Sequence, residues 1–222
     1  DVLYVPRYCY PLIPVAKRLG KRVVVHLHDY QPISYNASVP APYEGYRDRL
    51  VEWILEVERS KGLKNFVAAS LSFWVPGLVQ VWMADVDFII CVSKRQCEII
   101  SMTDSLKGGE TLVVYNPIPL ENFVGVRKNL DNAPTFLYVG GEEYVKGFRL
   151  LLRAIAMLKH KGIKLRLRFT GRYSAGSLGI LGGLEDGKVR IEVYGRVPYS
   201  RLRVIHESSW GLVFPSIWEE PL

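Results

Sequence analysis

Cysteine is scarce in this chain, and in two long stretches so is charge of one or both signs. Cys9, Cys91 and Cys97 show no metal-ligand spacing and cannot all pair. That excludes a disulfide scaffold or a zinc module and makes a reducing, intracellular compartment the simpler expectation. The N-terminus also lacks the cationic start and apolar run of a secretory signal, so a cytoplasmic setting is expected. From Tyr144 to Leu184 there is no Asp or Glu, while Lys146, Arg149, Arg153, Lys159, Lys161, Lys164, Arg166, Arg168 and Arg172 exceed by themselves the net charge of +7 carried by the whole chain. A local field of that kind either attracts an anionic ligand or surface, or is a solvated cationic face. Its aromatics are not interleaved with the cations in any nucleic-acid-binding pattern, so nucleic acid is not an expected partner.

No charge of either sign falls between Asn65 and Ala84. The stretch is long enough to raise a membrane span. Pro76-Gly77 interrupts it, however, and Ser70, Ser72 and Gln80 dilute it. A buried helix pair is the favoured expectation, ahead of a peripheral membrane contact.

Both common phosphate fingerprints are missing. A dinucleotide loop needs G-x-G-x-x-G and a P-loop needs G-x-x-x-x-G-K-[ST], whereas here Phe148 follows Gly147 where the P-loop lysine would stand. What is present is an apolar run, Thr135 to Val139, then Gly140-Gly141, then Lys146-Gly147, then apolar residues at Phe148, Leu151, Leu152, Ile155 and Leu158. The spacing predicts a strand that turns through glycines into a helix. A helix N-terminus with a lysine on its lip suits a phosphate; an ordinary βα connection has the same outline.

Along the rest of the chain, strands are predicted at Asp1–Val5, Arg22–Leu27, Phe88–Val92 and Thr111–Tyr115, with helices over Pro11–Leu19, Arg47–Ser60 and Lys94–Ser101. Tyr30 to Tyr46 reads as a long loop of a length that usually carries function. Asp85-Val-Asp87 matches a D-x-D metal pattern, but two carboxylates beside an apolar strand are a weak metal signal, and no metal is expected. A polar stretch, Glu121 to Pro134, reads as an interdomain linker, giving domains 1–132 and 133–222. Beyond it come the predicted strands Thr135–Val139, Lys164–Thr170, Val189–Tyr194 and Trp210–Phe214, the helices from Gly147 to about His160 and Tyr199–Ser208, and a Gly/Ser-rich loop from Gly171 to about Gly187. The order implies α/β architecture with parallel sheets.

As a set, His28-Asp29, Ile89-Ile-Cys-Val-Ser-Lys94, Val114-Tyr-Asn116 with Phe123, Val139-Gly-Gly with Lys146-Gly147, Gly195-Arg-Val197 and Phe214-Pro-Ser-Ile-Trp-Glu-Glu-Pro221 resemble the family 4 retaining glycosyltransferases of the GT-B fold. The resemblance implies two Rossmann-like parallel-sheet domains facing a cleft, both incomplete in this chain. The first would hold a saccharide or lipid-linked acceptor and the second a nucleotide-diphosphate sugar, with no cofactor and no metal. It places Lys146 on the donor diphosphate, with Gly140, Gly141, Arg149, Gly171 and Arg172 on the donor side. His28 would sit at the cleft floor, with Asp29 and Tyr30 on the acceptor side. Glu220, which directly precedes Pro221, matches the first of a family pair of glutamates, with Glu219 as the less favoured candidate; the second glutamate would fall beyond Leu222. The family usually has Arg where Gly141 stands, a departure that leaves a non-catalytic nucleotide-sugar-binding module as the alternative. The resemblance, with the basic residues near the uncharged stretch, also admits a peripheral position on the inner face of a membrane.

Overall fold

The computed structural model describes residues 1–43, 50–51, 53–54, 57, 62–106, 108–118, 128–130 and 132–221. Its contacts gather into two compact units, Asp1–Pro117 with Trp218–Leu222, and Ile118–Ile217. Most of the expected linker, Glu121 to Pro134, lies outside the described residues.

The first unit is built on four parallel strands, β1 (Val2–Val5), β2 (Arg22–Leu27), β3 (Phe88–Cys91) and β4 (Glu110–Val113), in that spatial order. Alternation decides which side is buried. Val23, Val25 and Leu27 enter the core with Val5, Ile89 and Cys91, while Val2, Tyr4 and Leu112 on the other face are exposed. Helix α1 (Ile13–Arg18) covers the core face after a 3-10 turn at Tyr10–Leu12. Helices α2 (Leu63–Ser72) and α3 (Val75–Met83) precede β3, and α4 (Lys94–Ser101) follows it, capped by Ser93 Oγ accepting from the Gln96 amide. Residues 50, 51, 53, 54 and 57 are helical, as the periodicity predicts; the rest of Arg47–Ser60 lies outside the described residues.

One expectation here is overturned. The uncharged stretch does fold as two helices, but it is not a buried pair, since only 22 % of Phe66–Met83 is buried. Helix α3 seats Pro76, Val79 and Met83 in the core, whereas among the described side chains of α2 only Ala69 is buried.

The second unit is also a four-stranded parallel sheet, with β5 (Thr135–Val139), β6 (Leu165–Thr170), β7 (Val189–Val193) and β8 (Gly211–Val213) in the order β7-β6-β5-β8. Helices α5 (Phe148–His160), α6 (Ala175–Leu184) and α7 (Tyr199–Glu207) connect them. The Gly/Ser-rich segment expected as loop contains α6. Glycines lower helix propensity, but Ser174 Oγ caps the first turn by accepting from the Ser177 amide, and Leu181 packs against the core with Leu184 beside it. Capping and burial outweigh propensity there.

The other face of this sheet uses up part of the basic run. Arg168, which is buried, donates from Nε to Glu192 Oε2 at 3.1 Å and from Nη1 to Ser208 Oγ at 2.6 Å, and the Tyr194 hydroxyl donates to the same Glu192 oxygen at 2.7 Å. Burial works against the Glu192 charge, but the hydrogen bonds from Tyr194 and Arg168 outweigh it and hold the carboxyl below its usual range. Lys159 Nζ donates to the Gly183 and Glu185 carbonyls at 3.1 and 3.2 Å, closing the end of α6. The run of cations is thus not a single field, because several of its members are structural.

Candidate functional site

In the second sheet, β5 has β6 on one side and β8 on the other, so the strand order reverses there. Open parallel sheets bind ligands outside the carboxyl ends of their strands at such a reversal. The Gly140–Gly147 turn leaves β5 at that point. Gly141 has φ +62°, a 3-10 turn spans Tyr144–Lys146, and Gly147 has φ +70° as the N-cap of α5. Ile217 N and Ser216 Oγ both donate to the Val145 carbonyl, at 3.0 and 3.1 Å, tying the turn to the segment that leaves β8. A Cβ at Gly171 would stand 2.7 Å from the Gly141 Cα and N, and Gly171 N donates to the Gly195 carbonyl at 2.8 Å. The connections after all four strands therefore converge through glycines.

Beneath them lies an aromatic cluster of Tyr138, Phe148, Phe169 and Tyr173, with ring centroids 5.4 to 6.4 Å apart. The Tyr138 hydroxyl donates to the Lys146 carbonyl at 3.3 Å. Burial, then the Glu143 charge, pushes its pKa up to about 12, so it stays a neutral donor.

Two helix N-termini meet this edge, and the chain treats them differently. At α6, Glu142 Oε2 accepts from both the amide and the hydroxyl of Ser174 at 2.9 Å, and hydrogen bonds from Ser177 and Ser174 hold the carboxyl below its usual range. A side-chain carboxylate thus already sits at that N-terminus. At α5 the N-cap is Gly147, with no side-chain cap, which leaves the first-turn amides without a carboxylate or hydroxyl supplied by the cap. Lys146 adjoins this second N-terminus and is half-buried, while Arg149 and Arg172 are exposed. The arrangement can take an anion: backbone N–H groups, the positive end of a helix dipole and a neighbouring ammonium. Gly141 is in left-handed conformation and a Cβ there would stand 3.3 Å from the Arg172 carbonyl oxygen, so the arginine that the resemblance would put at this position meets both strain and crowding.

In the first unit, His28 is exposed just past β2. Its ring lies 4.3 Å from that of His26, whose Nδ1 pairs with the Tyr4 hydroxyl at 2.6 Å. Burial, followed by the His28 charge, lowers the His26 pKa. Asp29 is buried and caps the loop: Oδ1 accepts from the Gln31 amide at 3.0 Å, and Oδ2 lies 2.8 Å from Arg7 Nε without the alignment of a hydrogen bond. Tyr30 is fully buried, edge-on to Trp218 at 6.5 Å, and offers no ring face to a ligand.

Glu219 and Glu220 fall within the first unit. Glu219 accepts from Arg95 Nη2 at 2.6 Å and from the Tyr43 amide at 2.9 Å, and its own amide donates to the Val39 carbonyl at 2.9 Å. Glu220 Oε1 accepts from Trp218 Nε1 at 2.7 Å. Within the D-x-D pattern, Asp87 is held by the Val23 amide at 2.7 Å and by Lys17 Nζ at 2.9 Å, which depress its pKa in that order. Among the described residues, no three His, Cys, Asp or Glu side chains converge as a metal site.

Sequence reasoning passed over Arg7, His26 and Arg95. Only His26 had a local signal, lying two residues before His28 and so on the same side of an extended chain.

No family model matches the sequence, and no curated protein matches it. Solved structures do. A mutant of TarM from S. aureus, in complex with fondaparinux, alpha-GlcNAc-glycerol and UDP, matches 95% of this chain and 36% of its own at a TM-score of 0.56 and 10% identity. The lipopolysaccharide outer core galactosyltransferase WaaB matches 97% of this chain and 50% of its own at 0.54 and 16%. The fold is GT-B. A UDP-forming alpha,alpha-trehalose-phosphate synthase from Burkholderia xenovorans, in complex with glucose-6-phosphate, agrees at 0.51 and 13%, over 95% of this chain and 52% of its own. The present chain thus spans between 36% and 52% of these GT-B structures.

Proposed function

We propose that this chain belongs to a family 4 retaining glycosyltransferase, moving a sugar from a nucleotide-diphosphate donor to a hydroxyl of a saccharide or lipid-linked acceptor without a metal. The observation that carries the proposal is the Lys146–Gly147 turn at the strand-order reversal of the second sheet, beside a helix N-terminus without a side-chain cap. There the departing diphosphate would be received by the first amides of α5 and the Lys146 ammonium, with Arg149 and Arg172 as further cations. Pre-aimed donors act most strongly where charge develops in the transition state. The acceptor oxygen bonds to the anomeric carbon on the face from which the diphosphate leaves, and the hydroxyl proton leaves with the diphosphate.

On the acceptor side, His28 is the group able to contact the sugar, with Asp29 fixing the loop behind it. Of the two glutamates, Glu220 is assigned to the donor, because it directly precedes Pro221 as the resembled pattern requires. The engagement of Asp87 by Lys17 and Val23 supports chemistry that does not draw on the D-x-D pattern.

The test is sugar transfer or donor hydrolysis by the full-length protein across UDP-, GDP- and ADP-sugars. Lys146→Ala should lower turnover by roughly 10²- to 10³-fold, and unchanged turnover in that variant would overturn the assignment. A second reading, a nucleotide-sugar-binding module without turnover, draws support from the left-handed, closely packed Gly141 where the family carries Arg. Donor binding that needs Lys146, without transfer to any acceptor, would decide for it.

A further inference from the structure

The sequence from Arg59 to Ala84 contains no acidic residue; Arg59, Lys61 and Lys64 come first and the uncharged stretch follows. In α2, Leu63 is 81% and Leu71 69% exposed, and Phe66 and Val67 are exposed as well. In the turn that follows, Trp74 is 72% exposed, with Phe73 edge-on to it at 6.1 Å. In α3, Val79 and Met83 face the core while Leu78 and Val81 face outward. Large apolar side chains are therefore presented without interruption by charge over two consecutive helices. Exposed apolar side chains in this number mark an interaction site.

The chemistry selects among possible occupants. By length and composition Phe66–Met83 would cross a membrane, but a transmembrane span does not fit the packing, because α3 seats Val79 and Met83 in the core of the first unit. Helix α3 is also fastened to the unit, with Gln80 Nε2 donating to the Pro32 carbonyl at 2.7 Å and Gln80 Oε1 accepting from Ser105 Oγ at 3.0 Å. A protein partner would be expected to meet a polar, hydrogen-bonding rim. Here the Ser70 hydroxyl is turned back onto its own helix, donating to the Phe66 carbonyl at 2.8 Å. An apolar helical face with an exposed tryptophan and the exposed Lys64 in the first turn of α2 has the complementary partner of a bilayer interface: acyl chains for the leucines, headgroup depth for the indole, and anionic headgroups for the lysine.

We propose that α2, the Phe73–Trp74 turn and the outer face of α3 form an interfacial anchor that lies in the surface of an anionic membrane, with Leu63, Phe66, Leu71, Trp74, Leu78 and Val81 entering it. This rests on no assignment of the reaction, since a chain that transfers no sugar still partitions.

The experiment is co-sedimentation of the full-length protein with vesicles of phosphatidylcholine alone and of phosphatidylcholine with phosphatidylglycerol. Binding is expected to the second, weakening as salt rises. Leu71→Glu combined with Trp74→Glu should lower the partition coefficient by about tenfold or more, whereas Leu150→Glu with Met157→Glu, exposed apolar positions on α5, should leave it unchanged. Circular dichroism of both variants controls for folding. Absence of binding to phosphatidylglycerol vesicles, or binding indifferent to the α2 and turn variant, overturns the proposal. So does a concentration-dependent dimer abolished by that variant, which would assign the surface to a second copy of the chain.

Discussion

Gly147 lies so close to Pro215 that a Cβ built on it would stand 1.8 Å from the Pro215 carbonyl oxygen. The obstacle is backbone, which cannot swing aside as a flexible side chain can, and Gly147 also has φ +70°. Gly147→Ala should therefore destabilise the second unit by at least about 3 kcal/mol, combining left-handed strain of about 1–2 kcal/mol with forced separation of the turn from the segment after β8. Gly195 isolates the first effect, since it has φ +66° and nothing lies within 4 Å of the place its Cβ would take, and Gly195→Ala should cost only about 1–2 kcal/mol. Denaturant unfolding of the two variants measures the difference, and equal losses would show that the turn yields easily.

Glu219 binds together three parts of the first unit: α4 through Arg95, the loop after β2 through the Tyr43 amide, and its own segment through the Val39 carbonyl. Glu219→Gln keeps an oxygen for Tyr43 but loses the charge partner of Arg95. With Arg95 side-chain exposure at 40%, solvent screening limits the loss to about 1 kcal/mol. The pairing with Arg95, helped by the Tyr43 amide, depresses the Glu219 pKa. Its contribution is therefore complete above the unfolded glutamate value of about 4.3 and disappears as pH falls through the lower folded value. Thermal unfolding of wild type and variant should differ at pH 7 and converge in acid. A gap that persists at low pH would mean the charge is not what holds the segment.

The parallel strands were legible because their signal is local: Arg22–Leu27 and Thr135–Val139 alternate or run apolar between glycines and polar residues, and their bounds agree with the sequence reading. The helix through the Gly/Ser-rich segment was not legible, because it depends on Ser174 as a cap and on Leu181 meeting a core assembled from distant residues. Lys146–Gly147 could be picked out as a candidate turn, but its place at the strand-order reversal depends on β8, some sixty residues farther along, pairing beside β5. The partners of Glu219 could not be read at all, since Tyr43 and Arg95 lie far from it in sequence and no local pattern links them.

His26 gives the first unit a pH dependence near neutrality. Burial and the neighbouring His28 lower its folded pKa, so the unfolded chain binds the proton more readily. Stability is complete above the unfolded value of about 6.5 and declines as pH falls below it. His206 in the second unit, lowered by burial and then by Lys128, acts in the same direction. Replacing His26 by Gln should flatten the stability profile of the first unit below about pH 6.5. An NMR titration in which the His26 ring protonates above 6.5 would contradict the packing on which this rests.

Glu142 and Lys146 should affect anion binding in opposite directions. The Glu142 carboxylate is taken up at the N-terminus of α6, so it adds negative charge to the edge where the α5 N-terminus and Lys146 are proposed to receive a diphosphate. Glu142→Gln retains an oxygen to accept from Ser174 and removes only the charge. If the turn binds the diphosphate, this variant should tighten a nucleoside diphosphate by about two- to fivefold at low salt, an advantage that fades as salt shortens the reach of the interaction. Lys146→Ala should weaken the same ligand by at least about tenfold, the direct loss of a charge-assisted contact. Calorimetric titration of both variants tests the pair. Opposite shifts locate the anion at this turn, whereas affinity unchanged in both would place it elsewhere on the chain and leave the glycines as packing devices.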